Sequence, residues 1–361
     1  MSPSPSGSVS PYDALLLVSF GGPDRPEDVV PFLENVTRGR DIPRERLEEV
    51  GEHYFLFGGK SPINDLNRSL LDAIRADLAA HDLDLPVYWG NRNWDPYLAD
   101  AVARMRDDGV TRAACFVTSA YSSYSSCRQY RENLAEAVID VGDGAPRLDR
   151  LRSAYNHPGF LEPVVDAVLD AVADRPGARL VFVTHSIPTT MNEGSGPHGG
   201  AYLTQHRNAA AYVAGRVSRV TGAGQDHDLV FCSRSGPPRV PWLEPDVNDH
   251  LEKLAGDGVH SVALIPIGFV SDHLEVVYDL DTEALATAER LGLDAVRVPT
   301  PGTDPRFVAM VRDLLLERAA VERGERVDRA VVGGEPALWD RCAVGCCPNP
   351  RGDRPAVGGA A

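Results

Sequence analysis

The chain has 361 residues, 43% hydrophobic and 24% charged, the balance of a globular protein with room for two domains of ordinary size. Lys and Arg number 36 against 52 Asp and Glu, a net charge of −16. No basic stripe is available to neutralise phosphates, so nucleic acid is excluded as a partner and attachment to anionic membranes is disfavoured.

No apolar run approaches the roughly 20 residues that a spanning helix needs. Residues 1–11, MSPSPSGSVSP, carry neither the basic nor the apolar region of a signal peptide, so a disordered tail and a cytoplasmic protein are expected. In that setting Cys115, Cys127, Cys232, Cys342, Cys346 and Cys347 read as free thiols or a metal site and not as structural disulfides.

In chain order, Ala14 to Phe20 is an apolar strand that stops at Gly21-Gly22-Pro23, followed by a helix near Glu27 to Val36. Two loops, residues 37–40 and 58–62, flank a helix at Arg44–Phe55. Asn64 to His81 has helical spacing, Val87 to Gly90 reads as a strand, Pro96 to Asp107 as a helix, Ala113 to Thr118 as a strand and Cys127 to Val141 as a helix. A similar order recurs. Leu180 to Thr184 is a strand ending at His185, then come a helix at Ala209–Val220, a strand at Asp228–Cys232, a helix at Val247–Ala255 and a strand at Ser261–Ile267. The segments Asp108-Gly109-Val110 and Asp257-Gly258-Val259 resemble each other and enter matching strands. A helix from about Glu275, a short strand at Ala295–Val298 and a long helix at Pro305–Val321 complete the ordered pattern. Alternation of strands and helices implies an α/β protein of two similar domains, with parallel sheets facing each other across a cleft. The expected boundaries are 12–150, 151–304, a crossing helix at 305–325, and a Cys-rich segment at 326–361.

Four groups could carry chemistry. Glu275, Asp279 and Glu283 stand at i, i+4 and i+8 after a buried strand; their mutual repulsion on one helical face is relieved by a cation, although a solvated acidic face has the same pattern. His185 stands at the carboxyl end of another strand, where ligands of open α/β sheets bind, as a base or metal ligand or simply as a loop histidine. Arg38, Arg40, His53, Tyr54, Lys60, Ser61 and Arg92 could grip carboxylates or be surface scatter. The run Tyr121 to Cys127, with Ser123 and Tyr124, could line a pocket for a flat ligand or only start a helix. Finally, Cys342-Ala343-Val344-Gly345-Cys346-Cys347 suggests thiolate ligation, with an iron–sulfur cluster requiring a fourth thiolate from elsewhere. The chain has no GxGxxG after a strand, no Walker loop, no GxSxG elbow and no HExxH, which weighs against nucleotide-dependent and common hydrolytic enzymes.

Assembled, these residues resemble the ferrochelatases, which insert ferrous iron into a porphyrin. The likeness runs from about Tyr12 to Val321 and rests on Leu17-Val18-Ser19-Phe20-Gly21-Gly22-Pro23, Gly58-Gly59-Lys60-Ser61-Pro62, Thr184-His185-Ser186-Ile187-Pro188 and the Gly268–Asp279 block. The resemblance implies two Rossmann-like domains enclosing a porphyrin cleft, His185 and Glu275 as the catalytic pair, and Asp279 and Glu283 as an acidic metal route. It implies porphyrin contacts from Phe20, Arg38, Arg40, His53, Tyr54, Ser61, Arg92, Ser123 and Tyr124. It also implies a [2Fe-2S] cluster on Cys127, Cys342, Cys346 and Cys347, with Cys115 and Cys232 as buried strand thiols. The substrates implied are Fe2+ and coproporphyrin III, with transient hand-over of product to a coproheme decarboxylase. Alternatives are protoporphyrin IX as substrate, a cobalt or nickel chelatase acting on a related ring, a porphyrin or haem carrier, and a cluster-based redox sensor. Two positions depart from related enzymes. Phe20 stands where many have Tyr and has no atom to ligate iron, and His53 stands where Arg can occur.

Overall fold

The computed structural model describes residues 7–39, 42–236 and 239–359. It contains two four-stranded parallel sheets of the same topology. The first joins β1 (Ala14–Ser19), β2 (Val87–Asn91), β3 (Arg112–Val117) and β4 (Arg147–Arg150) in the order 2-1-3-4. The second joins β5 (Arg179–His185), β6 (His227–Cys232), β7 (Ser261–Ile265) and β8 (Asp294–Arg297) in the order 6-5-7-8. In each sheet the first strand lies between the second and the third, so consecutive connections leave it in opposite directions. That divergence is a topological switch point, where ligands of open α/β sheets bind.

The continuous apolar runs of β1 and β5 follow from burial on both faces. Leu15 and Leu17 enter one core cluster, while Ala14, Leu16 and Val18 enter another on the opposite face. Leu180 and Phe182 share the cluster of Leu15 and Leu17, whereas Val181 and Val183 face a third. One apolar core therefore serves both sheets. It is filled by the helix Pro158–Val172, through Phe160, Leu161, Val164 and Val168, and by the helix Pro305–Glu322, through Phe307, Met310 and Val311. The latter packs on Pro158–Val172 and on Ile63–Ala80, and so spans the two halves.

Two elements lack a clear sequence signature. Strand β4 reads Arg-Leu-Asp-Arg, yet Asp149 is buried because Arg112 Nε donates to it at 2.7 Å. The helix Pro158–Val172 contains Pro163, a residue that sequence reasoning treats as a breaker. The helix expected from Ala209 in fact begins at Ala201. Residues 7–11 correct the expectation of a disordered tail: Val9 packs on the main core, and Arg323 Nη1 donates to the carbonyls of Ser8 at 2.8 Å and Ser10 at 2.5 Å. The rest of that tail, residues 1–6, lies outside the described residues.

Gly268 ends the β7 connection against Thr184, and a Cβ there would collide with Thr184 Oγ1. Gly268→Ala is expected to cost about 1–3 kcal/mol through overpacking, read as a lower midpoint in urea denaturation with an unchanged slope.

Candidate active site

Histidine 185 is the last residue of β5 and is held from behind. Tyr202, on the helix Ala201–Thr221, donates its hydroxyl to the His185 carbonyl at 2.8 Å. Thr184 Oγ1 lies 3.1 Å from that hydroxyl and 2.8 Å from His206 Nε2. Burial pushes His206 down to about 3, so it is neutral; its Nδ1 donates to the Tyr202 carbonyl at 2.7 Å and its Nε2 accepts from Thr184. The His185 Nδ1 contacts the Ser186 carbonyl, which can only accept, so Nδ1 carries the hydrogen. Its Nε2 is directed at Glu275, 4.0 Å from Oε1. That gap is too long for a hydrogen bond and leaves a ring nitrogen and a carboxylate oxygen facing one space.

Glu275 belongs to a continuous helical segment made of an α turn at Leu274–Val276, a π segment at Val277–Ala284 and a second α segment at Leu285–Leu291. The apolar stripe Val276, Leu280, Ala284 and Ala288 is buried against the second sheet, and Glu275, Asp279 and Glu283 sit one residue ahead of it. The wide π turn is of the kind found at functional sites, where it re-aims side chains. Glu275 falls in the α turn and Asp279 and Glu283 in the π segment, so the three carboxylates follow one another along one helical segment. Among the described residues, no group of three or more His, Cys, Asp or Glu is placed to hold a metal ion; His185 and Glu275 approach each other, and Asp279 and Glu283 follow along the helix. The spacing gives a row of acidic positions, not a chelating cage.

Asp279 is the perturbed member of the row. Burial pushes it up to about 6, Glu275 and Glu283 push in the same direction, and the Ser233 hydroxyl, which donates to it, and His185 oppose. Two neighbours were not distinguished by sequence. Ser233 stands past the end of β6 in the left-handed region, at φ 60°, which aims its hydroxyl at Asp279. His273, edge-to-face with Phe269 at 5.2 Å, is pushed down by burial, with Glu275 opposing and His185 adding. Its position two residues before Glu275 was the available signal.

The first half supplies the opposite wall. His53 stacks on Tyr278 at 4.0 Å and 12° and so joins the helix Arg44–Phe55 directly to the acidic helix. Tyr54 is pushed up by burial and then by the charge of Glu275. Phe20 packs edge-on to Phe32 at 6.2 Å. The Arg92 guanidinium lies 5.3 Å from the Phe20 ring centre and 5.0 Å from that of Tyr130, and its Nε is buried without a hydrogen-bond partner. Burial pushes Arg92 down, with Tyr130 opposing. Other predicted contacts are engaged locally: Arg38 donates to Asn35 at 2.6 Å, Lys60 pairs with Asp65 at 2.5 Å, Ser61 Oγ lies 3.4 Å from Ile63 N, Ser123 Oγ accepts from Ser126 N at 3.0 Å and Tyr124 donates to Glu132 at 3.3 Å. Arg40 lies outside the described residues. Across the halves, Tyr121 donates to the Ile267 carbonyl at 2.8 Å, and Gln205 accepts from Ser122 N at 2.8 Å.

The cysteines separate into two kinds. Cys115 and Cys232 are buried in strand cores. Cys127, Cys342, Cys346 and Cys347 form a buried cluster of their own against Trp339, with Cys346 and Cys347 Sγ atoms 3.8 Å apart. Cys127 comes from the segment after β3, and the other three from the C-terminal segment. Gly196 N–H, from the segment after β5, donates to Cys347 Sγ at 3.1 Å.

Residues 12–319 match the model of the family described as Ferrochelatase. The chain belongs to the ferrochelatase family. It is 58% identical to a protein of Streptomyces coelicolor named coproporphyrin III ferrochelatase, over 97% of each chain. It is 54% identical to the protein of that name from Frankia alni, covering 96% of this chain and 88% of that one. Among solved structures, SirB from Bacillus subtilis with Fe3+ aligns with a TM-score of 0.49 at 13% identity, over 86% of this chain and 97% of that one. Among the described residues no helix of this family member is long and apolar enough to cross a membrane.

A carboxyl raised on folding is ionised first in the unfolded chain, so its unfavourable contribution sets in as pH rises from about 4, the ordinary value for Asp, to about 6 and stays above it. Asp279→Asn is therefore expected to raise stability at pH 7.5 by on the order of 1 kcal/mol, with no gain at pH 3.5. Thermal melts at the two pH values check the difference.

Proposed function

We propose that this chain is a ferrochelatase that inserts Fe2+ into coproporphyrin III, giving iron coproporphyrin III for haem synthesis. The observation that carries the reading is the 4.0 Å approach of His185 Nε2 to Glu275 Oε1 at the switch point of the second sheet, in a chain of this family. Metallation exchanges two pyrrole N–H protons for one dication, so a base must stand over the ring face as iron arrives. His185, with Nδ1 bonded to a carbonyl, has Nε2 free to accept the first proton or to touch the incoming metal. Glu275 balances the imidazolium that results and takes part in removing the second proton. Asp279 and Glu283, spaced along the helix, form a path of single carboxylates on which a hydrated cation is passed and not trapped. An ionised Asp279 is needed for that path, so metal delivery should rise as pH passes about 6.

On the first half, Phe20, Tyr54 and Tyr130 suit the face of a flat macrocycle, and Arg92, with its unpartnered Nε, suits a propionate. Arg38, Arg40, His53, Ser61, Ser123 and Tyr124 complete the proposed contacts. The four propionates of coproporphyrin III make such groups more valuable than the two of protoporphyrin IX. The product still carries all four, so a decarboxylating enzyme is the natural recipient, and a cytoplasmic setting suits the hand-over.

The four clustered thiols supply the number and kind of ligands that a [2Fe-2S] cluster takes, two to each iron. Cys127, Cys342, Cys346 and Cys347 would hold it; when bound it supplies a one-electron centre that also cross-links the C-terminal segment to the body.

Anaerobic Fe2+ insertion, assayed side by side with coproporphyrin III and protoporphyrin IX, tests the function. Coproporphyrin III should give the higher kcat/KM; equal or reversed preference refutes the substrate, and no metallation of either refutes the activity. His185→Ala should lower kcat by at least about 100-fold, as loss of a general base does, while porphyrin affinity by fluorescence quenching stays near that of wild type. Retained turnover in that variant removes His185 from the mechanism. Cys127→Ser should lose the visible absorption of the cluster.

A further inference from the structure

Two arginines lie beside the cysteine cluster without a carboxylate. Arg131 is 3% exposed and Arg150 7% exposed. Arg131 stands four residues after Cys127; its Nε donates to the Val357 carbonyl at 2.5 Å and its guanidinium borders Gly358 and Gly359. Those glycines pair with Cys342, whose N–H donates to the Gly358 carbonyl at 3.0 Å. Arg150, at the end of β4, donates from Nη2 to Ser153 Oγ at 2.6 Å, and its Nε is buried with no partner. Among the described residues neither guanidinium is paired with an Asp or Glu. The adjacent Glu132 is already taken by Arg128 at 3.0 Å. Both guanidiniums are near enough for their charge to act on Cys342, and that of Arg150 also acts on Cys127.

A buried guanidinium costs several kcal/mol unless an anion answers it. Four neutral thiols provide none. Four thiolates on a [2Fe-2S] core carry a net charge of −2 when oxidised and −3 when reduced, so two fixed cations offset all of the first and leave −1 of the second. We infer that Arg131 and Arg150 are the built-in counter-charge of the cysteine site, placed to hold an anionic thiolate centre and to favour its more negative, reduced form. The inference rests on the cluster reading above and adds two residues, outside the cysteine motif, that position and tune the group.

The test uses the full chain, as isolated and after anaerobic reconstitution with iron and sulfide, comparing wild type with Arg150→Met, Arg150→Lys and Arg131→Met. The readouts are iron and sulfide per chain, the rate of cluster loss to a chelator, and the oxidised-to-reduced ratio in a dye-coupled redox titration. Each Met variant should shift that ratio at least about tenfold toward the oxidised form at a fixed potential, which is about 59 mV for a one-electron couple, and should lose iron faster. Arg150→Lys should stay near wild type on both. If Arg150→Met does not fold, by circular dichroism, Arg131→Met carries the same comparison, since the Arg131 side chain bonds to a backbone carbonyl. A loaded wild type whose Met variants keep its potential and its loss rate overturns the counter-charge and leaves the cluster reading standing. A wild type that takes up no cluster overturns both.

Discussion

The parallel pairing of β5 with β7 is the constraint on which the site depends. Register contacts from Arg179↔Val262 to Phe182↔Ile265 place the two strands side by side, so their carboxyl ends open next to each other. The chain leaves β5 toward β6 on one flank and returns to β7 on the other. The segments that begin there must diverge, and the crevice between them takes His185 from one strand end and Glu275 from the other. Neither residue reaches the other through local sequence, since 90 positions separate them. Sheet hydrogen bonding does that work, and the network of Thr184, Tyr202 and His206 then fixes which way the imidazole faces.

The two halves do not behave as separate globules. Alternate residues of β1 and β5 bury into one apolar cluster, and the helices Pro158–Val172 and Pro305–Glu322 fill the space between. At the rim, the stacked pair His53–Tyr278 and the bond from Tyr121 to Ile267 add direct ties. The cysteine cluster is another. Cys127 follows the third strand of the first sheet, and Cys347 accepts from Gly196, which follows the first strand of the second. The C-terminal segment therefore ties together two loops, one from each half.

Electrostatics divides the molecule in a way that the net charge conceals. Among the described residues the acidic row of Glu275, Asp279 and Glu283 has no Lys or Arg ion pair, and Asp279 is raised by burial first and by its two acidic neighbours second. Buried arginines are placed elsewhere. Arg152 and Arg318 are answered by Glu317 and Glu322 under the C-terminal segment, at 2.7 and 2.9 Å. Arg92 is partnered by aromatic rings, and Arg131 and Arg150 lie by the thiols. Positions where a charge is left unanswered by protein are the positions proposed to meet substrate or cluster.

The sequence by itself determined the α/β class, most strands and the line of three carboxylates, because a strand buried on both faces is a continuous apolar run and a helix face has a fixed period. The motifs also revealed the family. Strand β4 escaped, since its Asp149 is buried by ion pairs with the distant Arg112 and Arg318 that no local pattern records. The helix Pro158–Val172 escaped because tertiary packing overrides the signal of Pro163. Only the tertiary structure decided that Ser233 and His273 flank the acidic row and that His53 stacks on Tyr278 across from it. Periodicity along the chain reports what each segment buries, whereas the identity of its partner is set by how the sheets pair and pack.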